Sequence, residues 1–126
     1  MSFDVFFQGF DKGEPVPGGG SRMRDVLAPC IKREEPGTSF LLIEVGDGDA
    51  DVYLDDDDML ANHVTGRDPW DLLVKGAAAA GWVILPVGCP TCLTHEDQEH
   101  DLPDELRERV VIVRSGADLL RAIETA

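Results

Sequence analysis

The chain has 126 residues and carries 25 acidic against 11 basic side chains, a net charge of −14. That length suits one domain, residues 1–126, with a real core, and 43% hydrophobic content excludes a disordered chain. So negative a field disfavours nucleic-acid and anionic-membrane partners and attracts cations or basic proteins, although it also serves plain solubility.

The opening "MSFDVFFQGF" has no basic region and no apolar run of signal-peptide length. No stretch reaches the ~18 apolar residues of a spanning helix. A cytoplasmic location with reduced thiols is therefore expected.

Phe3, Val5 and Phe7 alternate with Asp4 and Gln8 and read as a first strand whose second face is partly buried. "GEPVPGGGS" reads as a Pro/Gly loop, after which Ser21 is placed to cap a helix carrying Met23, Val26, Leu27, Cys30 and Ile31 on one face. Pro29 should stop that helix near Ala28, and its apolar stripe makes Cys30 a core residue. "TSFLLIEVGDGDADVYL" reads as a hairpin turning at Asp47-Gly48, ended by "DDDDM".

Asp68 as cap, Pro69 in the first turn and Asp71 three residues past the cap announce a second helix. Trp70, Leu73, Val74 and Ala77 line its face, and Gly81 closes it. "WVILPV" is a central strand, with Pro86 near its end. "LPDELRER" reads as a short helix and "VVIV" as a buried strand. Ser115 and Asp118 cap a last helix whose inner positions are Leu119, Leu120 and Ile123. The order β-α-β-β-α-β-(α)-β-α predicts an α+β two-layer sandwich. Its core is expected to be ferredoxin-like (split βαβ), with an added C-terminal βα unit.

Residues 87–100, "VGCPTCLTHEDQEH", hold the most distinctive chemistry. Cys89, Cys92, His95 and His100 give C-x2-C-x2-H-x4-H, two residue types that zinc prefers, with acids between them to favour a cation. The middle gap is too short for a zinc finger. The pattern is similar to a zinc knuckle, C-x2-C-x4-H-x4-C, but is shorter in the middle and ends in His. A C-x-x-C after a buried strand also resembles the thioredoxin-like oxidoreductases, which would require a helix starting at Cys89 to lower its thiol pKa. Nearby carboxylates oppose that activation, although Thr94 and Asp97 are spaced to cap a helix after the cysteines. The plain structural reading packs Cys89 at the strand end, Cys92 in a turn, and His95 and His100 in solvent. With three cysteines in all, no disulfide framework is implied.

From Asp47 to Asp58, seven of twelve residues are aspartate. "DGDAD" starts like a calcium loop, but Val52 and Asp58 stand where glycine and glutamate are required. Asp55, Asp56, Asp57 and Asp58 read instead as a solvated rim or a docking surface for a basic protein. "PGGGSRMR" lacks a complete phosphate-loop signature. No orienting group completes a cysteine nucleophile with His63, His95 or His100. An enzyme is thus not the expected reading.

In size, charge and its opening "FDVFFQGF", the chain resembles the small acidic immunity proteins that accompany bacterial toxins. The resemblance implies an interaction module that neutralises a basic protein such as a nuclease toxin, with complementary charge speeding encounter; it carries over no binding residue. The alternative is a zinc or thiol-redox role centred on Cys89 and Cys92.

Overall fold

A computed structural model describes residues 3–126. It is a mixed α/β structure in which three α-helices lie on one face of a nine-stranded sheet. The strands are β1 (Val5–Asp11), β2 (Glu14–Val16), β3 (Ile31–Glu34), β4 (Phe40–Val45), β5 (Gly48–Leu54), β6 (Asp58–Asn62), β7 (Val83–Pro86), β8 (Thr91–Leu93) and β9 (Val110–Ile112). The helices are α1 (Gly20–Leu27), α2 (Asp68–Ala80) and α3 (Gly116–Glu124). The order across the sheet is β3-β4-β5-β6-β1-β7-β8-β9, with β2 hairpinned onto the far end of β1. Every pairing is antiparallel except β8 with β9.

This differs from the ferredoxin-like order expected from the sequence. The expected strands β7, β1, β5 and β4 do line up in that sequence, but β6 stands between β1 and β5. Antiparallel pairing of β1 with both β6 and β7 makes the split βαβ unit β6-α2-β7, with β1 in its gap. The Pro/Gly segment includes β2, because Lys12 and Gly13 at positive φ turn the chain back onto β1. "DDDDM" does not end the sheet, since Asp58 begins β6. "VVIV" forms an edge strand rather than a buried one, and "LPDELRER" yields only a 3₁₀ turn at Asp104–Leu106.

The core follows from period-two alternation. Val5 and Phe7 of β1, Leu41 and Ile43 of β4, Ala50 and Val52 of β5, and Met59 and Ala61 of β6 point to the helices. They meet Met23 and Leu27 of α1, Leu73 and Ala77 of α2 and Leu119 of α3. Pro29 ends α1 as expected, the chain tightening into a 3₁₀ turn at Ala28–Cys30. A Cβ on Gly76 would overlap the Met23 thioether, so a glycine there lets α1 and α2 approach closely.

The helix starts draw on contacts from other segments as well as on local caps. Gly19, not Ser21, is the cap residue of α1, and no side chain caps that helix. Asp68 does not cap α2. The Asp47 carboxylate, from the β4–β5 turn, accepts from the backbone N–H of Arg67 and of Asp68 at 3.0 and 2.9 Å. Asp68 in return accepts from the Asp47 N–H at 3.2 Å. Ser115 Oγ accepts from the Asp118 N–H as expected, and Asp71 of α2 accepts from the Gly116 N–H, tying α3 to α2.

The N–H donors of Asp68 and then Arg67 hold the Asp47 carboxyl below its ordinary pKa. Its stabilising contribution is present above the unfolded value of about 3.9 and is lost as pH falls through the lower folded value. Asp47→Ala should therefore be less stable than the wild type at pH 7, with the gap closing below about pH 4. Denaturant titrations at both pH values check this; a gap unchanged by acid would show that the carboxylate charge is not what holds the turn.

Candidate protein-interaction face

The cysteine–histidine segment proves to be part of the scaffold. Cys92 lies in β8, not in a turn, and its side chain is fully buried in the main core. Cys89 is the partly exposed one, in the turn after β7, with its thiol 3.6 Å from the Val87 carbonyl. The chain after Cys89 enters β8, so the helix that a thioredoxin-like site needs does not start there. Burial, and secondarily Cys89, push the Cys92 thiol up to about 12, which leaves it protonated and unreactive near neutrality. His95 and His100 are exposed. Among the described residues, no group of three or more His, Cys, Asp or Glu side chains is arranged to hold a metal. Cys89, Cys92, His95 and His100 are thus not brought together. The native protein at pH 8 should lose Cys89 to iodoacetamide well before Cys92, which should label only on unfolding. Mass mapping of labelled peptides reads this directly, and equal rates would contradict the burial.

The rest of that segment covers one end of the sheet. Leu102 packs with Val83 and Leu93 on the face opposite the helices, joined by Phe10, Leu85, Leu106 and Val110. Gln98, rather than Asp97, completes the turn after the cysteines, its side-chain oxygen accepting from the N–H of Thr94 and of His95. Leu85, at the edge of the Leu102 cluster, is only partly buried and lines an adjoining hollow. Under β8, β9 and the start of β7, therefore, the second face is closed.

Under β4, β5, β6 and β1 it is open, and register assembles a pattern there. Phe40 pairs with Tyr53, Tyr53 with Leu60, Leu60 with Phe6, and Phe6 with Leu85. Each of these residues alternates with a core residue, so all five point away from the helices. They form one apolar row across five strands, about 19 Å long at ~4.8 Å per strand. Phe6 is 44% exposed and Tyr53 36%, which is unusual for an aromatic on a mid-sheet strand. The Phe40 and Tyr53 rings lie 5.4 Å apart, tilted by 57°, a favourable aromatic geometry. The Arg33 guanidinium sits 5.6 Å above Phe40 and closes that end.

Two residues along β5, β6 and β1 in either direction, the face turns polar and mostly acidic. Next to Phe40 and Leu85, by contrast, the neighbours Leu42, Val83 and Val87 remain apolar. On one side lie Asp51 and Asn62, paired in register, with Asp4 3.2 Å from the Asn62 amide. His63 Nδ1 contacts Asp51 at 2.8 Å. On the other side lie Asp58, paired with Gln8, and Asp55. Here the row deepens into a hollow of about 500 Å³ between Phe6, Phe10, Pro15, Tyr53, Asp55 and Asp58.

The four consecutive aspartates thus divide their work. Asp55 and Asp58 border the hollow. Asp57 accepts from the Gly18 N–H at 2.8 Å, and the Asp56 carbonyl accepts from the Gly20 N–H at 2.9 Å. A Cβ on Gly20 would collide with the Asp55 carbonyl, so the glycine run is a close backbone crossing that fixes the aspartate turn.

No family of known proteins, curated protein or solved structure matches this chain. Among the described residues no helix is long and apolar enough to cross a membrane.

Proposed function

We propose that the chain is an interaction module of the immunity or inhibitor kind, binding a basic protein partner through the open sheet face. The observation that carries this reading is the uncovered row Phe40–Tyr53–Leu60–Phe6–Leu85, bracketed by Asp4 and Asp51 on one side and Asp55 and Asp58 on the other. Buried apolar and aromatic anchors supply affinity, and the carboxylates, with the net charge of −14, steer and select a cationic partner. Asp57 holds the turn through its carboxylate and Asp56 through its backbone carbonyl. The exposed Asp56 side chain, expected from the sequence to bind the partner, therefore stays available beside Asp55 and Asp58. The zinc or thiol alternative has no comparable support, because its ligands stand apart and its second thiol is buried.

The test is affinity capture from cells of the source organism with three baits: the wild type, Phe6→Ser, and Asp55→Asn with Asp58→Asn. A basic protein retained by the wild type, released by salt and lost with both altered baits supports the reading. Retention that ignores all three changes rejects it.

A further inference from the structure

We infer that the element received by the open face is a basic amphipathic α-helix of the partner, about thirteen residues long, lying along the apolar row and across the strands. This rests on the interaction reading above and specifies what that face recognises. Three features lead to it.

The first is shape. Over its three middle strands the apolar surface is one side chain wide, because the rows on either side of Tyr53, Leu60 and Phe6 are polar. It broadens only at its ends, beside Leu42 of β4 and beside Val83 and Val87, which flank Leu85. It is about 19 Å long at ~4.8 Å per strand. A helix presents one apolar stripe with a pitch of ~5.4 Å, close to one turn per strand, and spans that length in about thirteen residues at 1.5 Å each.

The second is backbone satisfaction. An element lying flat on the face of a sheet finds no edge to pair with, since the strands beneath it are already paired on both sides. A strand docked there would leave its own N–H and C=O groups unpaired against Phe6, Tyr53 and Leu60, whereas a helix satisfies them internally.

The third is charge. Carboxylates lie on both sides of the row, Asp4 and Asp51 about 7 Å away on one side and Asp55 and Asp58 on the other, at two residues' rise along a strand. Lysines and arginines flanking a helix's apolar stripe would meet both banks, with their methylene stems crossing the apolar edge. The same charges argue against other occupants. A second copy of this chain, docked face to face about a two-fold axis, would set acidic banks against acidic banks. An anionic lipid surface would be repelled likewise.

The probes are three synthetic peptides of about sixteen residues, identical in leucine and lysine content. One spaces its leucines to form a helical stripe between lysines, one alternates leucine and lysine as a strand would, and one is permuted to have neither pattern. Binding is followed by amide shifts of the labelled protein and by the peptide's circular dichroism.

The inference expects the striped peptide to become helical on binding and to shift residues of the row. It should bind at least tenfold more tightly than either other peptide, and at least tenfold more weakly to Phe6→Ser. Preference for the alternating peptide overturns the helix while leaving a basic partner intact. Equal binding of all three, or shifts confined to the helical face, also overturns it. Concentration-dependent dimerisation that protects the row and excludes the striped peptide would assign the face to a second copy and overturn it too. Failure of the capture experiment, by contrast, removes the interaction reading itself.

Discussion

Trp82→Ala is expected to remove a large share of the folding stability. The residue follows Gly81, which closes α2 at positive φ, and its ring is only 1% exposed. It packs against Gly9 of β1 and Gly19, where an added Cβ would meet the indole directly. Its Nε1 donates to the Gly18 carbonyl at 3.0 Å. Removing a buried tryptophan costs about 3–5 kcal/mol, because the cavity left behind collapses only partly. Against a typical total of about 5–15 kcal/mol, that is a large share.

The damage should also reach the proposed binding face, because the glycine segment that Trp82 holds is bonded to the turn of Asp56 and Asp57. Trp82→Phe keeps most of the ring but loses the donor, and should fall between wild type and alanine. Urea unfolding followed by far-ultraviolet circular dichroism ranks the three; a phenylalanine variant as weak as alanine would place the hydrogen bond above the packing.

The parts of this fold readable from sequence were those with local signatures. Helix α2 announced itself by Pro69 and the glycine after it, and α3 by the Ser115 cap. The β4–β5 hairpin showed strong alternation around a glycine turn, and Pro86 falls at the end of β7 as a missing ladder donor requires. The strands that went unread lacked such signatures. β3 is "IKRE", a charged edge strand with a register shift between Ile31 and Arg33, a form that discourages edge pairing and hides alternation. β6 begins inside the aspartate run, so its short apolar part, Met59–Ala61, was masked by charge. β8 is three residues long and holds the buried cysteine that spacing alone assigned to a turn.

The candidate face was the least legible feature for a different reason. Phe6, Phe40, Tyr53, Leu60 and Leu85 are scattered over eighty residues of chain, each an ordinary apolar position on its own strand. Their alignment into one row is a property of register across five strands, which no local pattern contains. One signal was present: β1 reads "VFFQGF", where apolar residues occupy both faces at Phe6 and Phe7. A strand with one solvated face would alternate cleanly instead. In the sequence Asp55, Asp56, Asp57 and Asp58 are one run of charge, and only the fold gives Asp55 and Asp58 a place beside the hollow and Asp57 a backbone donor.

Phe6 and Phe7 make the decisive comparison, because adjacent residues of one type face opposite sides of the sheet. Phe7→Ser places a hydroxyl in a fully buried site between the sheet and the helices. It should cost several kcal/mol, in the range of about 3–5 seen for removing a buried phenylalanine, with the polar group adding to it. Phe6→Ser removes a ring that is 44% exposed, whose loss the open face can accommodate without a cavity. Its cost should be about 1 kcal/mol or less, near the value of a cross-strand pair.

Binding should show the reverse order of information. Phe6 stands beside Leu60, the middle of the row, and borders the hollow, near the centre where interface anchors concentrate. Its removal should weaken partner or striped-peptide binding by about 2 kcal/mol, some thirtyfold, in a protein that melts almost as the wild type does. Leu60→Ser, on the neighbouring strand, should behave alike, and the pair should be non-additive because both touch one surface. A Phe6→Ser protein that unfolds as readily as Phe7→Ser would make Phe6 a structural residue and the row a second core. A stable one that binds as tightly as the wild type would move the interaction off this face altogether.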